Sequence, residues 1–266
     1  MNVRNLLTGC GAGCLLTLVV AAVVGALVFR EVKDSFDRFE SVADLQARLL
    51  EEHGSVADYV PPADGVIPAE RLETYLRVQA DVKPAADSLE TRARILRDLE
   101  EGDGATPGKI LRAVKGVRSL GDAMGRLLEA RDTALLEHGM GLGEYTYLTE
   151  LVTHGWLGRP LRAELGKDPN HERTRLLREV LRGLLERQRE AALAAGDPNV
   201  LVPALDSELD ALDADLHYVP WSRGLPAATE SSLTPYRDRL EPLATDSALA
   251  ISYGLEGEAN GITYDF

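Results

Sequence analysis

The residues of this 266-residue chain whose types could carry chemistry are first its histidines and carboxylates. Glu150 and His154 stand four apart in "LTELVTHGW", so a helix places one above the other. Two such groups can share a proton or begin a metal site, but a pair is not a site. The expected use of this one is a surface hydrogen bond. The His and Glu patterns with which helices hold zinc or paired iron do not occur in the sequence. "LDSELDALDAD" gathers Asp206, Glu208, Asp210, Asp213 and Asp215, but it lacks the glycine turn and the closing Glu of a calcium loop. Leu205, Leu209, Leu212 and Leu216 recur through the same stretch, so its acids are expected to form the solvated face of a helix.

Other reaction types find no better footing. "GCGAGC" follows no strand, and no glycine-rich loop ends in Lys-Ser or Lys-Thr, so neither dinucleotide nor phosphate-loop binding is indicated. The sequence has no Gly-x-Ser-x-Gly. Its two cysteines, Cys10 and Cys14, lie in one apolar run, which leaves the rest of the chain without thiol or disulfide chemistry. No catalytic residue, metal or cofactor is assigned, and an enzyme is not the favoured reading.

Two stretches are less generic. "GEYTYLTELVTHGW" carries Tyr145, Tyr147, His154 and Trp156; "LHYVPWSRGLP" carries His217, Tyr218, Trp221 and Arg223. Both tryptophans of the chain fall here. Trp, Tyr and Arg are the residues that anchor interfaces. Tyr145, His154, Trp156, His217, Tyr218, Trp221 and Arg223 are therefore the candidate interaction surface. The alternative is that they plug the ends of a helical bundle and send polar tips to water.

The elements that must position them read as helices. In "EVKDSFDRFESVADLQARLLEEHG", Val32, Phe36, Phe39, Val42, Leu45 and Leu49 mark one face of an amphipathic helix over 30–53, and 54–67 is a Pro- and Gly-containing linker and hinge. Leu72, Tyr75, Leu76, Val82, Leu89 and Leu96 keep helical spacing after Pro68, and Pro84 is expected to kink or break that helix. Ile110, Val114, Val117, Gly121, Met124, Leu128, Arg131 and Leu135 form a four-three seam. Close approach of a neighbour would offset the helix cost of Gly116, Gly121 and Gly125. Arg131 in that seam calls for a carboxylate partner. Leu177, Val180 or Leu181, Leu184 and Ala191 or Ala192 stripe a helix between Asp168-Pro169 and Gly196-Asp197-Pro198. "SLTPYRDRLEPLATDSALAI" is a last short helix, and the tail after it has no helical period. The expectation is an all-α body, 68–266, of about six or seven helices joined by short loops.

Ahead of the body, Gly9 to Phe29 is a run of 21 residues without a charge. At about 1.5 Å per residue, a helix of that length matches the hydrocarbon core of a bilayer. After a short tail, 1–8, we read 9–29 as an uncleaved, single-pass signal-anchor. A cleaved leader, ending at Val24-Gly25-Ala26, is the first rival, but the run is long for a leader's apolar core. A lipoprotein signal ending at Cys10 is the second, but its apolar residues follow the cysteine instead of preceding it. Gly9 and Gly13 offer a small face for helix association.

The net charge is −14, and all 43 acids follow residue 29. Such a body repels nucleic-acid backbones and anionic lipid headgroups alike. Arg outnumbers Lys by 24 to 5, which fits a GC-rich bacterial genome. The layout resembles single-pass bacterial membrane proteins with a helical body, a resemblance that implies no activity. The sequence thus points to the bacterial inner membrane, a body outside the cytoplasm, and a role as a protein-interaction or scaffold module with a protein partner or itself. The competing expectation is an envelope enzyme or small-ligand binder with a pocket near His154/Trp156 and His217/Trp221.

Overall fold

The computed structural model describes residues 41–100, 107–158, 172–196, 201–216 and 218–244. The chain divides into two compact units, 1–43 and 44–266. All that follows concerns the second. The described residues form helices and turns and no strand, as the hydrophobic spacing predicts.

Within this unit helix α1 is described from 44 to 53. A 3₁₀ turn, Val56–Asp58, leads through an irregular segment to α2 (Ala69–Glu100). Then come α3 (Pro107–His138) and α4 (Leu142–Glu150), which continues as a π-helical turn, Leu151–Trp156. α5 (Glu172–Ala195) and α6 (Leu201–Ala214) follow. Instead of one last helix over 232–251, the chain forms α7 (Ala227–Leu233), a 3₁₀ turn (Thr234–Tyr236) and α8 (Arg237–Leu240), and 245–251 lie outside the described residues. Pro235 has no N–H to carry an α-helical ladder through.

α2 and α3 form an antiparallel hairpin. His138 pairs with Asp81 at 2.7 Å near one end, and Arg92 bonds Ser119 further along. Pro84 does not break α2: the helix passes through it. Pro84 and Ala80, whose carbonyl loses its donor, are both exposed, so water can serve that carbonyl. The buried face of α2 holds Leu72, Tyr75, Leu76, Val82 and Leu89, as expected, with Val78 and Ala86 beside them. The seam of α3 is broader than its four-three pattern. Ala123, Leu127 and Ala134 are buried with Leu128, Arg131 and Leu135, whereas Gly121 is exposed and has no neighbour within 4 Å of where a Cβ would stand. Gly121 therefore does not serve a close helix approach.

α5 and α6 pair through arginines. Arg178 donates to the Asp215 and Leu212 carbonyls, Arg182 pairs with Asp213, and Arg189 meets Asp206 at 2.5 Å. Leu177, Leu181, Leu184, Leu185 and Ala192 line the buried side of α5.

The segment between α1 and α2 is tied down on both sides. Arg187 donates to the Tyr59 and Val56 carbonyls, and Gln188 donates to the Pro62 carbonyl at 3.0 Å. From α7, Thr229 donates to the Gly65 carbonyl at 2.8 Å, and Ser232 accepts the Ile67 N–H. Leu49, Val56 and Ile67 belong to the same buried cluster as the residues of α2 to α8.

No helix among the described residues is long and apolar enough to cross a membrane. The span expected at 9–29 lies outside the described residues.

Candidate functional site

α4 is buried along almost its whole length. It starts where Gly139, in the left-handed conformation at φ 64°, turns the chain out of α3. Arg71 braces this corner, bonding both oxygens of Glu144 and donating to the Gly139 carbonyl. From Leu142 to His154 every side chain except the half-buried Glu144 is buried. A helix buried all round is ordinarily apolar. This one carries Tyr145, Thr146, Tyr147, Thr149, Glu150, Thr153 and His154.

Part of that polarity is matched. Tyr75 donates to Thr149 Oγ1 at 3.2 Å, and Gln79 donates to the Tyr75 hydroxyl at 2.8 Å and reaches Tyr145 at 3.5 Å. Gln188 donates to the Tyr147 hydroxyl at 3.0 Å. Burial pushes the Tyr75 and Tyr147 hydroxyls well above the usual tyrosine range, so both serve as neutral hydrogen-bonding groups. In α3, Arg131 donates from Nε to Asp132 Oδ1 at 2.7 Å, with side chains 1% and 0% exposed. The arginine of the α3 seam thus finds its carboxylate in the next residue.

Three residues of the stretch carry unmatched atoms. Thr146 Oγ1, both oxygens of Glu150 and Thr153 Oγ1 are buried without a hydrogen-bond partner. Their spacing of four and three places them along one side of α4 and its continuation. Buried polar atoms of native proteins are nearly always paired, so this run of three stands out in the interior. The π turn begins at the next residue, with the Leu157 N–H reaching back five residues to the Val152 carbonyl at 2.9 Å. Single π turns of this kind are frequent at functional sites.

Glu150 feels a second acid. Burial, and after it the like charge of Glu208, push its carboxyl up to about 8. Glu208 lies on the inner side of α6, 7% exposed, and was expected on the solvated face. The reason is spacing: positions 205, 208 and 212 share a helix face, and Leu205 and Leu212 are buried on either side. Asp210, Asp213 and Asp215 are exposed as expected. Glu208 Oε2 accepts the Tyr218 hydroxyl at 2.8 Å and the Trp221 N–H at 2.6 Å. Trp221 has φ 62°, the one positive φ of a non-glycine residue among the described residues. Such strain persists only where surroundings hold it.

The loop 218–225 packs on the π turn. A Cβ on Gly155 would stand 2.7 Å from Leu225 Cδ2 and 3.0 Å from Trp221 Cβ, so any larger residue would make the Leu225 side chain shift. The two aromatic stretches therefore meet. Tyr145, His154, Tyr218 and Trp221 are buried, Trp156 is half-buried under Arg237 at 5.4 Å, and Arg223 is exposed, 4.8 Å above the Tyr218 ring. His217 lies outside the described residues. The expected Glu150–His154 surface bond is absent: both residues are buried, and neither Glu150 oxygen has a partner. Sequence spacing missed Glu150 and Glu208 as a pair, because each is ordinary on its own helix. The one available signal was an acid inside a run of Tyr, Thr and Leu.

Among the described residues no three His, Cys, Asp or Glu side chains are grouped to hold a metal ion. A cavity of about 380 Å³ opens elsewhere, among Asp64, Ala192, Ala195, Leu201, Pro226 and Ala227. Comparison with protein families, curated proteins and solved structures found no match.

Proposed function

We propose that the chain is a membrane-tethered protein of the bacterial cell envelope whose helical body acts as a protein-interaction or scaffold module. The observation that carries this reading is the charge-free run Gly9–Phe29 set before an acidic body. A segment of that length and polarity is stable as a helix in hydrocarbon. The body's negative charge gives anionic membranes and nucleic acids no attraction, which leaves protein surfaces as the favoured partners. The span remains uncleaved in the inner membrane, with the body outside the cytoplasm.

The test is fractionation followed by capture. Full-length chain should stay in the membrane pellet through carbonate and high salt. Protease added to spheroplasts should digest the body. Crosslinking in intact cells should recover the same partner, or a second copy, in repeated captures. A soluble mature chain starting near Leu27 defeats the anchor, and a body protected until lysis reverses its direction.

A second reading, an envelope small-ligand binder, is favoured by one observation: the unpartnered oxygens of Glu150 where the π turn meets the loop bearing Trp221. A bound ligand there would alter tryptophan emission, because both tryptophans sit at that junction. Emission unchanged across a panel of small cations, amines and sugars would leave the first reading standing.

A further inference from the structure

We propose that Glu150 is a proton-binding latch: with its proton on, the 218–225 loop stays seated on the π turn, and with its proton lost, the loop is released. This device operates whether or not the body binds partners as read above.

The geometry supplies each part. Glu150 is 4% exposed and has no donor on either oxygen. An ionised carboxylate in that position has no protein donor to offset its burial, so the neutral acid is the form the fold favours. The charge that opposes ionisation sits on Glu208 of α6. Glu208 is in turn the group that ties the loop, through the Tyr218 hydroxyl and the Trp221 N–H. Ionising Glu150 therefore sets a second buried charge against the carboxylate that holds the loop. Two relaxations lower that repulsion: water reaching the pair, or Glu208 moving outward with its loop. Both lead through the same joint.

That joint is the strained one. Trp221 keeps φ 62°, which a free loop would relax. The contact is close and made by side chains against a glycine, with no backbone ladder across it. The other titratable and charged groups at the junction are His154 on the π turn, Tyr218 and Arg223 on the loop, and Arg237 above Trp156. Burial and then the bond to Glu208 push Tyr218 up to about 12, so it keeps its proton through the range in which Glu150 titrates. Arg223 rides on the Tyr218 ring and moves with the loop.

The chain reports on this joint by itself, because its two tryptophans, Trp156 and Trp221, both lie there. The experiment titrates full-length chain in detergent micelles from pH 5 to 10, following tryptophan emission and far-ultraviolet circular dichroism together. The expected result is a red shift of emission with its midpoint near pH 8 while the helical signal holds. Glu150→Gln should abolish the shift. Glu208→Gln, which removes the like charge but keeps an acceptor for the loop, should move the midpoint to lower pH. Its displacement serves as the readout if Glu150→Gln fails to fold. An emission curve that is flat over the whole range overturns the latch. So does a shift retained in Glu150→Gln, or one that runs in step with loss of helix.

Discussion

The Trp221 N–H donates to Glu208 Oε2 at 2.6 Å, and the same oxygen accepts the Tyr218 hydroxyl at 2.8 Å. One buried carboxylate oxygen thus fixes both a left-handed tryptophan and the loop that carries it. Replacing Glu208 with Ala leaves a buried N–H and a buried hydroxyl without acceptors. The expected cost is about 2–4 kcal/mol in denaturant unfolding. Tyr218→Phe should cost only about 1 kcal/mol, because the backbone bond remains. Equal losses in the two variants would mean that the Trp221 N–H bond contributes little.

Glu150 makes stability depend on pH in a known direction. Its carboxyl lies at about 8 in the folded body against 4.5 ordinarily, so the folded state binds the extra proton. The stabilisation is complete below about 4.5, is lost as pH rises to about 8, and is level above that. Within this window the slope from this group approaches about 1.4 kcal/mol per pH unit. Urea midpoints measured from pH 5 to 9 should fall for the native chain. Glu150→Gln should remove most of that fall.

Two glycines should answer to alanine with opposite signs. A Cβ at Gly143 would lie 2.4 Å from Tyr59 Cβ and 3.2 Å from the Val56 backbone, so Gly143→Ala must push the 3₁₀ turn away from α4. A loss of about 1–3 kcal/mol is expected. Gly121 sits on the exposed side of α3 with open space around it, and Gly121→Ala should add about 0.5–1 kcal/mol. Melting temperatures of the two variants test both signs at once.

Pro84 offers a further gain. It lies on the exposed side of α2, within a helix that continues to Glu100. Pro84→Ala restores the donor to the Ala80 carbonyl and removes the ring clash, and should raise stability by about 1–3 kcal/mol. No change in the unfolding midpoint would mean that α2 has already relaxed around the ring.

Much of the framework was legible in the sequence. The helical class, the buried faces of α2 and α5, and the burial of Leu205 and Leu212 on α6 follow from a 3.6-residue period, which depends on neighbours along one chain; Leu216, on the same stripe, lies past the end of α6 and is exposed. Arg131 could be read as needing a carboxylate, because a buried guanidinium always does. The period also says which side of a helix is inward, but not what stands opposite. Glu208 looked like one more acid in an acidic helix, and Glu150 like half of a surface pair. Only tertiary packing turned both inward, set Gly155 beneath Trp221 and Leu225, and made two distant acids neighbours. The same packing decided that residues 54–67, which read as a hinge, are held from α5 and α7 by Arg187, Gln188, Thr229 and Ser232. The reason is the same in each case. Periodicity is a local property of the chain, whereas the energy of a buried charge or a held loop depends on groups brought in from more than fifty residues away.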